Sequence, residues 1–293
     1  MTSFVKLPAV RKSKKGNLPN LIIIGAQKCG TTSMHYYLSH HPQITMSREK
    51  ELNFFIQERN WHKGIEWYKS NFNSEAKVRG ETSPNYTNFP SWSGVPERMH
   101  SVVPETRLIY IVRDPIDRII AHYIHYYAEG LEHRKLSDAL KDFNNNIYVC
   151  RSKYYMQLEQ YLNYFSKSNI LITTLEDLYS HRLQTLQEVF RFLDVDDSFY
   201  NRKFFKIKHK SNYKRRKNLI GLAISQIPGI NIVERLPFDI REKVKTLIYF
   251  PFSHKIERPV LENNLRQELI DYLRDDINCL REFTCYNFES WCV

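Results

Sequence analysis

Residues 21–38, LIIIGAQKCGTTSMHYYL, decide the fold of this chain, because they combine a strand, a short loop and the start of a helix. Residues 21–24 are apolar and mostly β-branched, which is typical of a strand buried on both faces of a parallel sheet. Gly25 ends that strand, and the Thr-Thr-Ser of residues 31–33 begins the helix. The loop between them is a predicted anion site, since unpaired backbone N–H groups and the positive end of the helix dipole point into it.

The loop is close to the Walker A motif of nucleotide-binding proteins but departs from it at the lysine. That motif is G-x-x-x-x-G-K-[ST]. Gly25 and Gly30 have its spacing, whereas Thr31 occupies the lysine position and the lysine of this loop is Lys28. A P-loop nucleotide phosphotransferase, such as a kinase, is therefore one alternative function, although the position of the lysine argues against it.

Length and charge indicate one α/β domain with an anionic partner. The 293 residues, 42% of them hydrophobic, can form a single large core. The formal net charge of +11 suits a nucleotide with several phosphates, an acidic glycan, nucleic acid or an acidic membrane. We predict a basic flexible arm over residues 1–18 and a single domain over residues 19–293.

A second strand, loop and helix follow at residues 107–130. The apolar run of residues 107–112 leads directly into the sequence RDPIDR, in which Pro115 suits the first turn of a helix. Arg113 comes immediately after the strand, and its guanidinium is a rigid, multi-donor partner for a phosphate. A salt bridge to a neighbouring carboxylate is the alternative role for Arg113.

Together these segments resemble the sulfotransferases that use 3′-phosphoadenosine 5′-phosphosulfate (PAPS). The sequence GAQKCGTTS of residues 25–33 resembles the 5′-phosphosulfate loop of the branch with the heparan sulfate N- and 3-O-sulfotransferases and their bacterial relatives. The RDPIDR of residues 113–118 is similar to the family's 3′-phosphate loop. The resemblance extends over about residues 20–292. It implies a three-layer α/β sandwich with a P-loop-like, mainly parallel central sheet flanked by helices.

The resemblance also implies a nucleotide site made by both loops and by the basic segment of residues 201–218, which closes over the nucleotide in the family. The family's serine, eight residues after the arginine, is Ala121 here, so another donor or weaker binding is expected. The basic segment alone also fits a polyanion- or nucleic-acid-binding protein, which is the third alternative. The predicted nucleotide-binding residues are Gln27, Lys28, Cys29, Gly30, Thr31, Thr32, Ser33, Arg113, Lys210, Tyr213, Lys214 and Arg215.

On the acceptor side the resemblance assigns the catalytic base to Glu51. Residues 48–55, REKELNFF, are similar to the family's K-E-x-x-F-F segment, and Glu51 stands at the position of its base. A carboxylate that accepts a proton from the attacking acceptor contributes about 10²–10⁴ in rate. Spacing alone favours the alternative, a surface glutamate in a salt-bridged cluster.

Three further residues complete the predicted acceptor site. His62 and Lys63 belong to a stretch that resembles the family's H-K-G-x-x-W-Y, and a surface pair at a helix start is the alternative. Glu81 precedes the position at which the family has a lysine, which is Thr82 here. We therefore predict Glu51, His62, Lys63 and Glu81 as acceptor-binding residues.

The predicted activity is transfer of a sulfuryl group from PAPS to a hydroxyl or amine of a carbohydrate or another small metabolite. The reaction is an in-line displacement with Lys28 and Glu51 as catalytic residues, and 3′-phosphoadenosine 5′-phosphate (PAP) is the other product. The basic charge favours an anionic acceptor. The five cysteines have neither a C-x-x-C pair nor zinc spacing, so we expect reduced thiols and no metal. We also expect no nucleic-acid partner.

The location predicted from the sequence is cytoplasmic. The first twenty residues lack the apolar core of a signal peptide. No apolar run approaches the roughly 18–20 residues of a transmembrane helix. The trimmed lumenal domain of a Golgi-type enzyme is the alternative.

Overall fold

The computed structural model describes residues 17–72, 75–206, 215–225, 227, 244 and 247–293. A five-stranded sheet with the order β2-β3-β1-β4-β5 lies at its centre, and every pair of neighbouring strands is parallel. The predicted parallel sheet is therefore confirmed. Its strands are β1 (Leu21–Gly25), β2 (Ile44–Met46), β3 (Val78–Thr82), β4 (Arg107–Val112) and β5 (Ile170–Thr174).

Helices flank this sheet, and β1 is buried along its whole length as its apolar sequence predicts. A small antiparallel ribbon pairs β6 (Arg215–Lys217) with β7 (Ser253–Lys255). The helices are α1 (Thr31–Leu38), α2 (Gly64–Lys69), α3 (Val95–Val102), α4 (Pro115–Glu129), α5 (Leu136–Ala139), α6 (Ile147–Cys150), α7 (Tyr154–Leu162), α8 (Leu175–Ser180), α9 (Arg182–Phe192), α10 (Leu219–Ser225) and α11 (Asn263–Thr284).

The strand order places a crevice between β1 and β4. From β1 the chain runs to β2 and β3 on one side of the sheet and then crosses to β4 on the other. At such a reversal, ligands of open α/β sheets bind beyond the carboxyl ends of the strands. The loop after β1 and the Arg113 loop after β4 both lie there, so the fold brings the two predicted phosphate loops together.

One predicted helix is shorter than its pattern, and a distant carboxylate caps its start. The apolar spacing of residues 151–165 predicts one helix over the whole stretch, but α7 spans only Tyr154–Leu162. At its start, Asp276 of α11 accepts hydrogen bonds from the backbone N–H groups of Tyr155 (3.0 Å) and Met156 (2.8 Å). A tertiary contact supplies the cap that local sequence would otherwise have to provide.

The sequence predicts one long helix from Leu175 to about Leu193, but the structure has two helices there. His181 lies between α8 and α9 with φ −124° and ψ 38°, which is not helical. The Thr174 hydroxyl caps α8 by accepting from the N–H of Asp177 at 2.9 Å. The carboxylate of Asp177 lies 3.7 Å from the His181 ring, so side-chain contacts surround the break.

The domain includes two residues that the sequence assigned to the arm. The N–H of Asn17 donates to the carbonyl of Phe72 at 3.2 Å, and Leu18 packs against the core. Residues 1–16 lie outside the described part of the chain, so the predicted arm stays a prediction.

The five cysteines are all free thiols, as predicted. Burial raises the pKa of Cys29 to about 11, which makes that thiol unreactive at neutral pH. Within the described ranges, no helix combines the length and apolar character needed to cross a membrane.

Candidate active site

The predicted phosphate loop of residues 26–30 needs two glycines, Gly25 before it and Gly30 at its end. A Cβ on Gly25 would lie 2.0 Å from Oγ1 of Thr87, so only glycine allows this close approach. Gly30 has φ +86°, and a Cβ there would lie 2.6 Å from Cδ1 of Leu175. The motif spacing recognised in the sequence therefore has a steric basis.

Gly30 also leaves the start of α1 open to an anion. It is the N-cap residue and has no side chain for the first turn, which contains no acidic residue. The first hydrogen bond of the helix joins the N–H of Met34 to the carbonyl of Gly30 at 3.1 Å. The backbone N–H groups of residues 31–33 lie before this bond, in the first turn. These amides and the helix dipole together favour a negative group at this end.

Lys28 and Arg113 join the two loops. Nη1 of Arg113 donates to the backbone carbonyl of Lys28 at 3.5 Å. Lys28 has φ 74°, a left-handed conformation that costs a non-glycine residue about 1–2 kcal/mol. Strain of this kind is kept where the surroundings hold the residue for a function.

Arg113 forms the salt bridge that the sequence offered as its alternative role. One of its nitrogen donors nevertheless has no partner among the described residues. Nη2 of Arg113 lies 2.8 Å from Oδ2 of Asp117, and the other oxygen of Asp117 lies 2.6 Å from Nη2 of Arg258. In contrast, Nε of Arg113 is buried and has no hydrogen-bond partner among the described residues. Among the described contacts, Nε is thus the one nitrogen of this guanidinium that is left for an anion at this end of the crevice.

Sequence reasoning missed two arginines buried behind the loops. Arg118 and Arg151 are 0% and 2% exposed, and neither forms an ion pair within the described part of the chain. Arg118 donates to the side chain of Ser152 and to the carbonyl of Gln27, and Arg151 donates to the carbonyl of Pro84. Burial, together with the charge of Arg118, lowers the pKa of Arg151 to about 10. Arg118 belongs to the RDPIDR motif, whereas nothing in the local sequence marks Arg151.

Glu51 lies at the same edge of the sheet as the phosphate loop. Its backbone N–H donates to the carbonyl of Thr82, the last residue of β3, at 2.8 Å, and β3 pairs with β1. Its side chain is 44% exposed and forms an ion pair with Nζ of Lys50 at 2.9 Å. The predicted base is thus near the crevice and open to an acceptor.

Glu81 has a different position from the one predicted. It is completely buried, and its carboxylate accepts hydrogen bonds from the hydroxyls of Tyr68 (2.6 Å), Tyr86 (3.0 Å) and Ser83 (2.9 Å). Burial raises its pKa to about 7, and the three hydroxyl donors oppose this rise. The prediction of direct acceptor contact by Glu81 is therefore corrected, because none of its surface reaches solvent.

Thr82, which stands at the position of the family's lysine, contacts His35. No sequence pattern indicates this contact. The hydroxyl of Thr82 lies 2.9 Å from Nδ1 of His35 on α1. Burial, assisted by the charge of Lys50, lowers the pKa of His35 to about 3, so the imidazole is neutral at neutral pH. This pair connects α1 to the end of β3.

His62 and Lys63 lie on an exposed turn, Trp61–Lys63, before α2. Nζ of Lys63 lies 4.4 Å from the centre of the Trp67 ring. In the described contacts neither side chain meets the phosphate loop or Glu51. Their contribution to acceptor binding stays a prediction.

The predicted residues of the basic segment are only partly described. Lys210, Tyr213 and Lys214 lie outside the described residues. Arg215 begins β6, where its Nε donates to Oγ of Ser253 at 2.9 Å and its guanidinium lies 4.3 Å from the centre of the Phe250 ring. In this arrangement Arg215 holds the ribbon together, and its role in nucleotide binding stays a prediction.

Comparison with known proteins links this site to one family. The model of the family described as "Sulfotransferase domain" matches residues 18–228. Heparan sulfate N-deacetylase/N-sulfotransferase 4 of Mus musculus is 30% identical over 292 residues, which cover 92% of this chain and 33% of that protein. Heparan sulfate glucosamine 3-O-sulfotransferase 5 of Mus musculus is 33% identical over 191 residues, covering 61% of this chain and 54% of that protein. The chain thus spans about a third to a half of these relatives.

Solved structures agree on the fold. A sulfotransferase from Alicyclobacillus acidocaldarius has a TM-score of 0.68 at 20% identity, over 94% of this chain and 99% of that one. A mouse sulfotransferase in complex with PAP has a TM-score of 0.52 at 14% identity, over 92% and 90% of the two chains. With the family model matching most of its length, the chain belongs to the sulfotransferase domain family.

Proposed function

We propose that this chain is a PAPS-dependent sulfotransferase whose acceptor is a hydroxyl or amine of a carbohydrate or another small metabolite. The observation that carries the proposal is the hydrogen bond from Arg113 to the carbonyl of Lys28, which unites two phosphate loops at the reversal point of the sheet. The names of the two murine relatives, both heparan sulfate sulfotransferases, support a carbohydrate acceptor.

The residues of the crevice fit a ligand with phosphates at both ends. At one end, α1 starts without an acidic residue or a capping side chain. At the other, Nε of Arg113 is buried without a partner in the described structure. Behind them, the buried guanidinium groups of Arg118 and Arg151 add positive charge that no described ion pair neutralises. The PAP bound to a neighbour of the same fold also supports this ligand class.

The protein groups then have separate tasks. PAPS supplies the sulfuryl group when it is bound. The ammonium group of Lys28 and the amides at the start of α1 stabilise negative charge on the 5′-phosphate, as cations and helix termini do in phosphoryl transfer. Glu51 accepts the proton of the acceptor, and its ion pair with Lys50 holds the carboxylate at the mouth of the crevice.

The first experiment is calorimetric titration of the protein with PAP, without metal, and in parallel with ATP and Mg²⁺. We expect PAP to bind and ATP–Mg²⁺ to bind much more weakly. Arg113→Lys should weaken PAP binding by about 1.5–3 kcal/mol, because lysine lacks the multi-donor guanidinium. Arg107→Lys, at the opposite end of β4, is the matched control and should bind PAP normally. Preference for ATP–Mg²⁺, or binding of neither ligand, would refute the proposed function.

We propose a cytoplasmic location, with a lumenal domain as the alternative. A relative in Dictyostelium discoideum, 36% identical over 123 residues that cover 40% of this chain and 25% of that protein, is named a membrane-associated sulfotransferase. That name supports the alternative. Fractionation of cells that express the full-length gene product, followed by immunoblotting, separates the two locations.

A further inference from the structure

The segment of residues 51–55, which carries Glu51, is held in an unusual backbone conformation. It has no helix or strand, and Glu51 and Asn53 have φ angles of 65° and 48°. Non-glycine residues adopt positive φ angles only where the surroundings compensate the cost. Contacts with neighbouring residues must therefore hold this segment in place.

Two hydrogen-bonded chains connect the segment to the carboxylate of Glu81. In the first, the backbone N–H of Asn53 donates to Oγ of Ser83 at 3.1 Å, and Ser83 donates to Oε2 of Glu81 at 2.9 Å. In the second, the N–H of Phe55 donates to the hydroxyl of Tyr86 at 3.4 Å, and Tyr86 donates to Oε1 of Glu81 at 3.0 Å. Each hydroxyl accepts from the backbone through its oxygen and gives its hydrogen to Glu81, so the carboxylate orients both.

Burial of a carboxylate at this position has no packing explanation. Aromatic contacts already close this part of the core, since Phe54 stacks on Tyr68 at 4.2 Å and Phe55 lies 5.6 Å from Tyr86. Removal of a carboxylate from water costs several kcal/mol, which hydrogen bonds offset only when all are made. An apolar residue at position 81 would avoid the burial of a carboxylate, but it would leave three buried hydroxyls without their acceptor and could not orient them.

We propose that Glu81 is a positioning residue for Glu51, acting through the hydroxyls of Ser83 and Tyr86 on the backbone of residues 51–55. The inference rests on the proposed function, because it takes Glu51 as the base. Glu81 itself touches neither acceptor nor donor. The network sets the place of the Glu51 carboxylate relative to the crevice.

The test removes each relay hydroxyl separately. Ser83→Ala and Tyr86→Phe each break one chain, and both should lower kcat about ten- to a hundredfold, since displacement of a reacting group by about 1 Å has effects of this size. The matched control is Tyr68→Phe. It removes an equally direct hydrogen bond to Glu81, at 2.6 Å, from a hydroxyl that is not part of either chain. We expect Tyr68→Phe to keep kcat within about threefold, with PAP affinity unchanged in all three variants.

A second set of variants distinguishes positioning from a general structural role. In a Glu51→Gln background, Ser83→Ala and Tyr86→Phe should cause no further loss, because the group that they position is already absent. If Ser83→Ala and Tyr86→Phe lower kcat equally with and without Glu51→Gln, the inference is overturned. It is also overturned if Ser83→Ala, Tyr86→Phe and Tyr68→Phe have equal kcat values in the parent protein. If Glu51→Gln alone keeps full activity, the assignment of the base fails, and the inference fails with it for that separate reason. Unfolding by urea identifies any variant that is simply unstable.

Discussion

The phosphate loop and the Glu51 segment lie at neighbouring strand ends, yet they are held in different ways. The phosphate loop of residues 26–30 is fixed by main-chain bonds, such as that from the N–H of Ala26 to the carbonyl of Ile111 at 2.7 Å, and by apolar contact with Leu175. The Glu51 segment is fixed by side-chain hydroxyls that depend on a buried carboxylate, Glu81.

This difference has a chemical origin. A phosphate can be bound by backbone N–H groups, which every residue except proline has, so its binding depends mainly on glycines and a helix start. A base must place one carboxylate against one acceptor atom, and such placement requires supporting side chains from other elements. We therefore expect the donor side to tolerate most substitutions outside its motif and the acceptor side to respond to changes deep in the core.

The largest predicted effect is on the acceptor side. Glu51→Gln should lower kcat by about 10²–10⁴ with PAP affinity unchanged, because it removes the proton acceptor and keeps the shape of the side chain. Steady-state transfer of labelled sulfate from PAPS to an acceptor measures it. Glu49→Gln, a change of the same kind two residues before Glu51, is the control. Similar losses in both variants would show that only the negative charge near this position matters.

On the donor side, Lys28→Met should lower kcat by about 10²–10³, the usual cost of losing one group that stabilises developing charge. Turnover and PAP binding are measured together, and the loss should be larger in turnover than in affinity. Lys141→Met removes an exposed lysine that pairs with Asp138 and has no predicted role at the site, so it should leave both unchanged. A loss confined to PAP affinity would contradict a catalytic role for Lys28.

A third prediction concerns the pH dependence of stability on the acceptor side. The pKa of Glu81 is raised from 4.5 to about 7 in the folded protein, so the folded state binds the proton more tightly than the unfolded state. Its contribution to stability is complete below pH 4.5 and is lost as pH rises to about 7. The unfolding free energy of the wild type, minus that of Glu81→Gln, should therefore fall by about 3 kcal/mol over this range.

Urea denaturation at several pH values measures this difference. Glu66→Gln, which changes an exposed carboxylate on α2, should show no comparable trend. A wild-type advantage over Glu81→Gln that is independent of pH would mean that the buried carboxylate does not titrate in this range.

The smallest predicted effect separates backbone strain from close packing in the phosphate loop. Gly30 and Gly94 are both helix N-cap residues in the left-handed conformation, but a Cβ on Gly94 would meet only the end of the flexible Arg98 side chain, whereas one on Gly30 would meet Leu175. Gly94→Ala should cost about 1–2 kcal/mol of stability, mainly from conformation, because the end of the Arg98 side chain can move. Gly30→Ala should cost more and should also weaken PAP binding. Equal losses in thermal unfolding, with normal PAP binding, would show that the loop adapts to the methyl group.

Much of the fold and of the donor site could be predicted because their signals are local. The apolar runs of β1 and β4, the glycine spacing and the proline that begins α4 each lie within a few neighbouring residues. Two helix boundaries were predicted wrongly, and both lie at side-chain contacts. Asp276 caps α7 from more than a hundred residues away, and Asp177 contacts His181 at the break between α8 and α9.

The sequence by itself determined the parallel sheet and the family, and it predicted two phosphate loops, since backbone anion sites are encoded in short contiguous motifs. Tertiary structure alone decided that Glu81 is buried, that Arg118 and Arg151 lack ion pairs in the described chain, and that Glu51 is held through Ser83 and Tyr86. Burial and hydrogen-bond partners depend on which distant segments meet, and no periodicity or spacing along the chain records such a meeting.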